Sequence, residues 1–269
     1  MMMMAGHSKW AKIKRAKGSN DAKRAILFTK LAVELSEASR QALGDVTDIR
    51  LAAAISKAKA CNVPKDNIEA ALKRGVEGKG GANMEAVTYE GIGPGSTAII
   101  VETLTDNRRR TAPNIRHAFS KHGGALGTSG SVAWMFLRKG VVEVEGGREG
   151  GREGGREGEA LWEDALEVGA EDVEEDAGED GEEGGMVARV VCEPSALAEV
   201  SKGLEKRGWR PSLVQFSFLP TTTVEVEVEG EEKGGGEGGA KVGQQLIGLL
   251  GALEDDPDVQ NVFHNATFV

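Results

Sequence analysis

The periodicity of the apolar residues changes once along this 269-residue chain, close to Gly80. Upstream of that point, apolar residues recur at helical spacing, as on a helix that packs one face against a core. Downstream, β-branched runs alternate with amphipathic helical segments. The chain therefore has to combine a small helical bundle with layers of strands and helices.

Three helices are predicted before this change of pattern. The first covers Asp21–Leu43, with leucines recurring every fourth residue on one face. Asp48 is a suitable N-cap for the second helix, and Asn62 can take the left-handed position after its end. Pro64 fits the first position of the third helix, and Gly75 is its stop. Short connections between such helices are typical of a small bundle.

Strand and helix patterns alternate in the rest of the chain. The predicted strands are Thr97–Leu104, Ser131–Arg138, Val141–Glu145, Met186–Cys192, Ser212–Leu219, Thr221–Val228 and one that begins at Val259. The predicted helices are one capped by Thr111, then Ala160–Val168, Pro194–Arg207 and Lys241–Leu253. Between residues 141 and 219 the order is typical of a two-layer α+β domain, which interrupts a second such domain.

Low-complexity segments lie inside the interrupting domain. Gly-Gly-Arg-Glu occurs three times in tandem from Gly146 to Glu157, and its glycine content predicts an expanded surface loop. Nine of the thirteen residues at 171–183 are acidic, which predicts a solvated, mobile tract with room for one strand. A second flexible loop is predicted at 230–239. The predicted layout is a basic arm (1–20), a helical domain (21–80), an α+β domain in two pieces (81–138 and 220–269), and an inserted α+β domain (139–219) with a Gly/Glu-rich loop at 146–159 and the acidic tract at 171–183.

The net charge of -10 argues, by itself, against binding of nucleic acid. The charge is divided unevenly, however. Residues 1–140 hold 23 basic and 12 acidic residues, a net +11, and residues 141–269 hold 10 basic and 31 acidic residues, a net -21. Such asymmetry indicates that the basic half binds a polyanion, although a basic segment can also be no more than a solvated tail.

Candidate phosphate and base contacts lie in two segments of this basic half. Near the N-terminus a histidine, a serine and a tryptophan are interleaved with cations, a pattern that suits stacking on single-stranded RNA, although Trp10 could instead pack on the bundle. Three consecutive arginines follow the strand at 97–104, on a predicted loop before a helix. Their guanidinium groups and the N-terminus of the helix suit binding of phosphate. The alternative is that these arginines form ion pairs with the acidic half of the chain. The candidate nucleic-acid-binding residues are His7, Ser8, Lys9, Trp10, Lys12, Lys14, Arg15, Lys17, Lys23, Arg24, Lys30, Arg108, Arg109 and Arg110.

Sequence signals for catalysis, metals and membranes are weak. His117 and His122 are five residues apart and so do not share a helix face, and Cys61 and Cys192 have no metal-ligand spacing. The glycines at 91–95 precede a strand, whereas a nucleotide-binding loop follows one. We therefore predict no catalytic residue, no metal ligand and no cofactor. No run approaches the roughly 20 apolar residues of a membrane span, and the N-terminus lacks a secretory signal.

Specific short segments are spread along nearly the whole chain. They are Met4–Trp10, Asp21–Arg24, Phe28–Lys30, Pro64–Asp66, Tyr89–Gly91 with Gly93–Gly95, Leu104–Arg108, Arg116–Lys121, Gly130–Trp134, Gly169–Asp172 and Asp258–Asn265. Together they resemble the YebC family. The resemblance implies an α+β multi-domain fold, with an N-terminal three-helix domain and two small ferredoxin-like α+β domains, the third inserted in the second.

The same resemblance implies a function. Members have been described as probable transcriptional regulatory proteins, a mitochondrial branch as translational activators of cytochrome c oxidase, and the family is linked to ribosome binding and relief of stalled peptide synthesis. The expected function is therefore a non-enzymatic translation factor that binds the ribosome, rRNA or tRNA. A DNA-binding transcriptional regulator and a protein-interaction scaffold are the alternatives. The expected state is a cytoplasmic monomer, with a mitochondrial or other organellar location as the alternative if the N-terminus is truncated.

Overall fold

The computed structural model describes residues 21–78, 84–145, 157–176, 187–228 and 237–269. Predictions for the basic arm, the Gly-Gly-Arg-Glu repeat and most of the second glycine-rich loop lie outside these residues. Within them the chain is α+β. Its helices are α1 (Asp21–Gln41), α2 (Ile49–Ala60), α3 (Lys65–Val76), α4 (Arg108–Lys121), α5 (Glu157–Glu167), α6 (Leu197–Lys206) and α7 (Glu237–Asp255). Its strands are β1 (Glu85–Ile92), β2 (Ala98–Thr105), β3 (Ala125–Leu126), β4 (Phe136–Glu145), β5 (Asp172–Asp176), β6 (Val187–Cys192), β7 (Pro211–Pro220), β8 (Val224–Val226), β9 (Val259–His264) and β10 (Ala266–Phe268).

The chain divides into two compact units. Unit 1 takes its described residues from Met1–Glu34, Gly80–Leu137 and Leu219–Val269. Unit 2 takes them from Leu35–Lys79 and Arg138–Phe218. Each unit therefore combines part of the helical segment with one of the larger sheets.

Local sequence signals explain how the helices start and stop. The Asp48 carboxylate accepts hydrogen bonds from the backbone N–H groups of Arg50 and Leu51, at 2.9 and 3.1 Å, and so caps α2 as predicted. Asn62 has φ 56° after the end of α2, which confirms its left-handed position. Pro64 is the N-cap of α3, one residue earlier than its predicted place inside the helix.

The larger sheet of unit 1 has the strand order β3-β1-β2-β9, and all of these pairings are antiparallel. β1 and β2 form a hairpin, and α4 and α7 supply the buried partners of the sheet. The core contains Ile99, Val101, Ile115, Phe119, Leu246, Leu249, Leu250 and Leu253, all buried. Gly91, one of the glycines that precede the predicted strand at 97–104, lies in β1. A Cβ at Gly91 would lie 2.6 Å from the Phe119 ring, so the missing side chain lets α4 approach the sheet.

Unit 2 contains a sheet with the order β5-β6-β4-β7. The chain order β4-α5-β5-β6-α6-β7 with this strand order is the ferredoxin-like arrangement. Its core includes Val142, Val190, Leu161, Leu197 and Trp209. The indole N–H of Trp209 donates to Asp164 at 2.8 Å, so this large side chain is buried without an unpaired donor.

The helical segment of unit 2 covers one edge of this sheet. Ile49 packs against the core, and the Ser56 hydroxyl oxygen accepts a 3.0 Å hydrogen bond from the Val214 N–H on β7. An exposed strand edge invites pairing with other chains, and a side-chain acceptor there removes one free donor.

Two strand predictions differ from the structure. Residues 131–138 and 141–145 do not form two strands: Ala133–Met135 is a single helical turn, and Phe136–Glu145 is one continuous strand. The reason is that the Glu90 carboxylate binds the backbone N–H groups of this loop before the strand begins. The acidic tract was predicted to be solvated with room for one strand; that strand is β5, which buries Val173 in the core, and residues 177–183 of the tract lie outside the described residues.

Candidate nucleic-acid interface

The predicted residues of the N-terminal arm, from His7 to Lys17, lie outside the described residues. Lys23 belongs to α1. Arg24 is exposed, and its guanidinium carbon lies 5.4 Å from the centroid of the Phe28 ring. This cation–π contact restrains the side chain while leaving its donors at the surface. Arg24 therefore remains a candidate phosphate contact.

Lys30 has a different environment. It is 7% exposed, and its ammonium group donates to the Glu254 carbonyl oxygen at 2.5 Å, in the last turn of α7. Carbonyl groups in the last turn of a helix lack intrahelical partners and carry the negative end of the helix dipole, so a cation is favourable there. Because the ammonium group is buried and bonded, we leave Lys30 out of the proposed interface.

The three consecutive arginines do not lie on a loop. Arg108 begins α4, and the Asn107 side chain caps the helix by accepting from the Arg110 N–H at 3.2 Å. The prediction of Thr111 as the N-cap is therefore wrong. Thr111 is buried inside the helix, where its hydroxyl donates to Asp258 at 2.7 Å. Asn107 takes the capping role because its extended backbone and short amide side chain suit that position.

Arg110 is held by carboxylates of its own unit. Its Nη2 atom donates to Asp258 and to Asp106, both at 2.8 Å. Burial raises the pKa of Asp258, but hydrogen bonds from Arg110, Thr111 and Thr105 outweigh burial and hold that pKa below its ordinary value. Asp258 is therefore ionised at neutral pH, and Arg110 acts as its structural partner.

The side chains of Arg108 and Arg109 are more accessible to a phosphate group than the side chain of Arg110. Arg108 lies 3.1 Å from Glu85, but both side chains are more than half exposed, and such pairs contribute about 0–1 kcal/mol. Arg109 is exposed and makes no ion pair within the part of the chain that the structure describes. Ion pairing, the alternative considered for these arginines, thus applies to Arg110 and weakly to Arg108.

Further cations lie on the same helix. α4 carries no acidic residue, and the positions opposite its buried residues Thr111, Ile115 and Phe119 are exposed. Residues seven apart lie on the same side of a helix. We call the exposed set the α4 basic face: Arg109, Arg116, His117 and Lys121. The candidate residues predicted from the sequence include no cation beyond Arg110, although the seven-residue spacing of Arg109 and Arg116 indicates that they share one side of a helix.

The charge of the α4 basic face also affects His122, the residue that follows the helix. His122 is partly buried, and a Cβ at Gly248 of α7 would lie 2.8 Å from its ring. Burial, together with the charges of Lys121 and His117, lowers the pKa of His122. His122 is therefore neutral at pH 7 and adds no charge to the basic face.

Within the described ranges, neither a metal-binding cluster nor a membrane-spanning helix is present. No three His, Cys, Asp or Glu side chains within those ranges are placed to hold a metal ion. Among the helices described, none is both long and apolar enough to pass through a lipid bilayer.

The chain is thus a multi-domain α+β protein with a cationic surface helix. Two family models match the chain: the N-terminal domain of the TACO1/YebC protein over residues 8–78, and the second and third domains of TACO1/YebC over residues 84–266. The chain belongs to the TACO1/YebC family, which is named for regulatory proteins and not for enzymes.

Relatives of similar length carry one common name. Proteins named probable transcriptional regulatory protein are 42% identical in Thermoanaerobacter pseudethanolicus over 97% of this chain and 96% of the relative. The relative from Rubrobacter xylanophilus is 46% identical over 97% of this chain and 95% of the relative. The relative from Treponema denticola is 44% identical over 97% of this chain and 96% of the relative. The crystal structure of a conserved hypothetical protein from Aquifex aeolicus has a TM-score of 0.73 and 39% identity, over 93% of this chain and 92% of that one.

Proposed function

We propose that this chain is a non-enzymatic translation factor that binds RNA on the ribosome, as rRNA or tRNA. The α4 basic face is the observation that carries this proposal. It presents Arg109, Arg116 and Lys121 on an acid-free helix, although the whole chain has a net charge of -10. Cations concentrated on one exposed helix suit a polyanion, because each phosphate contact releases bound counterions.

One helix of the helical segment, α3, has a charge pattern that does not favour duplex DNA. On α3, Lys65 lies 3.6 Å from Glu69, and Lys73 lies 3.8 Å from Glu77. A helix that reads the major groove presents cations and amides to the DNA, and glutamates one turn away repel the phosphates. This pattern of alternating sign is typical of a solvated helix face.

RNA also suits the shape of the α4 surface. The buried side of α4 packs on the sheet through Ile115 and Phe119, so only a shallow ridge of the helix is exposed. Single strands, loops and the wide, shallow minor groove of RNA accept such a ridge. The acidic half of the chain would be repelled by RNA, which limits the orientations in which the protein docks.

A DNA-binding transcriptional regulator is the second candidate, and the names of the relatives favour it. It would use the same α4 basic face for phosphate contacts. The two candidates differ in target and in selectivity, because a regulator of transcription has to distinguish one duplex sequence from others.

Cosedimentation with ribosomes in a sucrose gradient tests the proposal, alongside titrations of single-stranded RNA and of duplex DNA at several salt concentrations. We expect the full chain to migrate with ribosomal particles and to bind RNA with a strong salt dependence. Sequence-selective, salt-resistant binding of duplex DNA without ribosome association would support the transcriptional candidate and overturn ours.

The family resemblance leads to a more specific role. We propose that docking relieves stalled peptide synthesis, as at runs of proline. A reconstituted translation reaction should then yield more full-length product from a proline-run reporter when the chain is added, and equal product from a matched reporter without the run. An equal effect on both reporters would contradict this role and leave ribosome binding itself intact.

A further inference from the structure

Trp134 is an exposed aromatic side chain in unit 1. It exposes 73% of its surface, whereas its neighbours Val132 and Phe136 are buried. Tryptophan is buried for most of its surface in a typical protein, so a ring this exposed has most of one face accessible to a ligand.

The loop that carries Trp134 is firmly held. The buried Glu90 carboxylate accepts hydrogen bonds from the N–H groups of Gly130, Val132 and Ala133, at 2.7, 2.9 and 2.8 Å. The indole N–H of Trp134 donates to the Ser131 carbonyl oxygen at 3.1 Å. The ring is thereby oriented by its own loop while its surface stays open, which lowers the entropy cost of stacking a ligand on it.

The loop that carries this ring has no charged residue of its own, and the Glu90 carboxylate that holds it is buried. Residues 123–137 contain no Asp, Glu, Lys or Arg, and the side chains of Thr128, Ser129 and Ser131 are exposed. Hydroxyl groups donate and accept hydrogen bonds, so they suit the edges of a nucleic-acid base and the ribose hydroxyls. A surface of this kind does not repel a polyanion.

The loop and the helix α4 lie at the same edge of the unit 1 sheet. α4 packs against β3, and β3 pairs with the end of β1, with Ala125 opposite Ile92. The Gly127 N–H then donates to the Glu90 carbonyl oxygen at 2.8 Å, which attaches the loop to β1 next to β3. A chain of phosphates that follows the end of α4 therefore arrives at the edge from which the Trp134 loop departs.

We propose that Trp134 is a stacking platform for a base of single-stranded RNA whose backbone follows the α4 basic face. This inference rests on the proposed function and names a subsite for it. Phosphate contacts by arginine and lysine supply affinity that depends on salt, and base–aromatic stacking supplies affinity that does not. The two contributions can therefore be separated by experiment.

The test measures fluorescence anisotropy of a labelled single-stranded RNA of about 12 nucleotides, within the range that single-strand sites cover. We expect Trp134→Ala to weaken binding by about 5- to 150-fold, with an unchanged salt slope, since stacking contributes about 1–3 kcal/mol per base. Trp134→Phe should stay within about 3-fold of the wild type, because the ring is retained and only the indole hydrogen bond is lost.

Trp162→Ala is the matched control, because Trp162 is an exposed tryptophan, at 43%, on α5 of the acidic unit 2. It should bind RNA like the wild type. Thermal unfolding of all variants checks that truncation of these exposed rings leaves the fold intact.

The outcomes separate this inference from the proposed function. If the wild type binds the RNA and Trp134→Ala binds it equally well, the stacking platform is wrong and the translation-factor proposal stands. If Trp134→Phe is as weak as Trp134→Ala, stacking is also contradicted, since the indole hydrogen bond would then be the feature that matters. Absence of RNA binding and of ribosome association by the wild type would refute the proposed function itself.

Discussion

The Nη2 atom of Arg110 lies 2.8 Å from each carboxylate oxygen of Asp258, although 148 residues separate the two in sequence. Arg110 is in the first turn of α4, and Asp258 directly precedes β9. Thr105 and Thr111 add two hydroxyl donors to the same carboxylate. This cluster fastens together the two parts of unit 1 that the segment 138–218 separates in sequence.

Asp258→Asn should lower the free energy of unfolding by about 1–3 kcal/mol, because the buried carboxylate becomes a neutral amide, and the half-exposed Arg110 guanidinium and two hydroxyl donors lose a charged acceptor. Urea unfolding at pH 7 measures this loss. The exposed Asp106→Asn is the matched control, since its ion pair with Arg110 is largely solvated; we expect a change below about 1 kcal/mol.

The same carboxylate predicts a pH dependence. The pKa of Asp258 is lower in the folded protein than in the unfolded chain. The ionised carboxylate therefore contributes fully to the free energy of unfolding above the unfolded pKa of about 4, and this contribution is lost as the pH falls through the folded pKa. The difference in unfolding free energy between wild type and Asp258→Asn should therefore shrink below about pH 4. A difference that stays constant down to pH 2 would contradict this assignment.

Glu90→Gln should loosen the loop that carries Trp134. Burial raises the pKa of Glu90, but three backbone N–H donors outweigh burial and keep that pKa below its ordinary value, so the carboxylate is charged at pH 7. A neutral amide offers one acceptor oxygen and two donors, and we expect hydrogen exchange at Gly130, Val132 and Ala133 to accelerate by about 10-fold or more. Glu85→Gln, on an exposed residue of the same strand, should leave these amides unchanged.

Two glycines in helices should respond to alanine in opposite directions. A Cβ at Gly75 of α3 would lie 2.3 Å from the Ser36 carbonyl oxygen, so Gly75→Ala should destabilise the protein by about 1–3 kcal/mol. A Cβ at Gly251 of α7 would meet nothing within 4 Å, so Gly251→Ala should stabilise it by about 0.5–1 kcal/mol. Thermal unfolding compares the two, and a loss of stability in both variants would contradict the packing described for α7.

Removing charge from the α4 basic face should change how RNA binding depends on salt. The double variant Arg109→Ala with Arg116→Ala should reduce the slope of log K against log salt concentration by up to about 1.4, if each arginine contacts a phosphate of a single strand. Lys202→Ala with Lys206→Ala removes two exposed charges from α6 in unit 2 and should leave the slope unchanged. Equal slopes for all three proteins would exclude α4 from the interface.

Much of the fold follows from local sequence, and the failures have a common cause. Asp48 and Asn62 act through their own neighbours, so short-range pattern was sufficient to predict their roles. Thr111 was assigned to the wrong role because its partner, Asp258, is distant in sequence. The bounds of β5 within the acidic tract could not be predicted, because a strand at a sheet edge needs only one buried residue, here Val173, among acidic neighbours.

The candidate site shows the same division. The excess of cations was visible as charge counts, but which cations are available depends on tertiary contacts. Lys30 donates to Glu254 and Arg110 to Asp258, whereas Arg109 and Arg116 stay exposed. Trp134 was placed in a predicted strand and in a family pattern but not among the candidate site residues, since exposure cannot be read from the residue type.

Met135 and Thr221 stand at the two ends of the interrupting segment, and the Thr221 N–H and hydroxyl both donate to the Met135 carbonyl oxygen, at 2.8 and 3.0 Å. The chain thus leaves unit 1 and returns to it at almost the same point. For a closed loop of this kind, extra residues cost little, about 0.6 kcal/mol for each doubling of length. Residues can therefore be added within the segment at small cost while Met135 and Thr221 keep their positions.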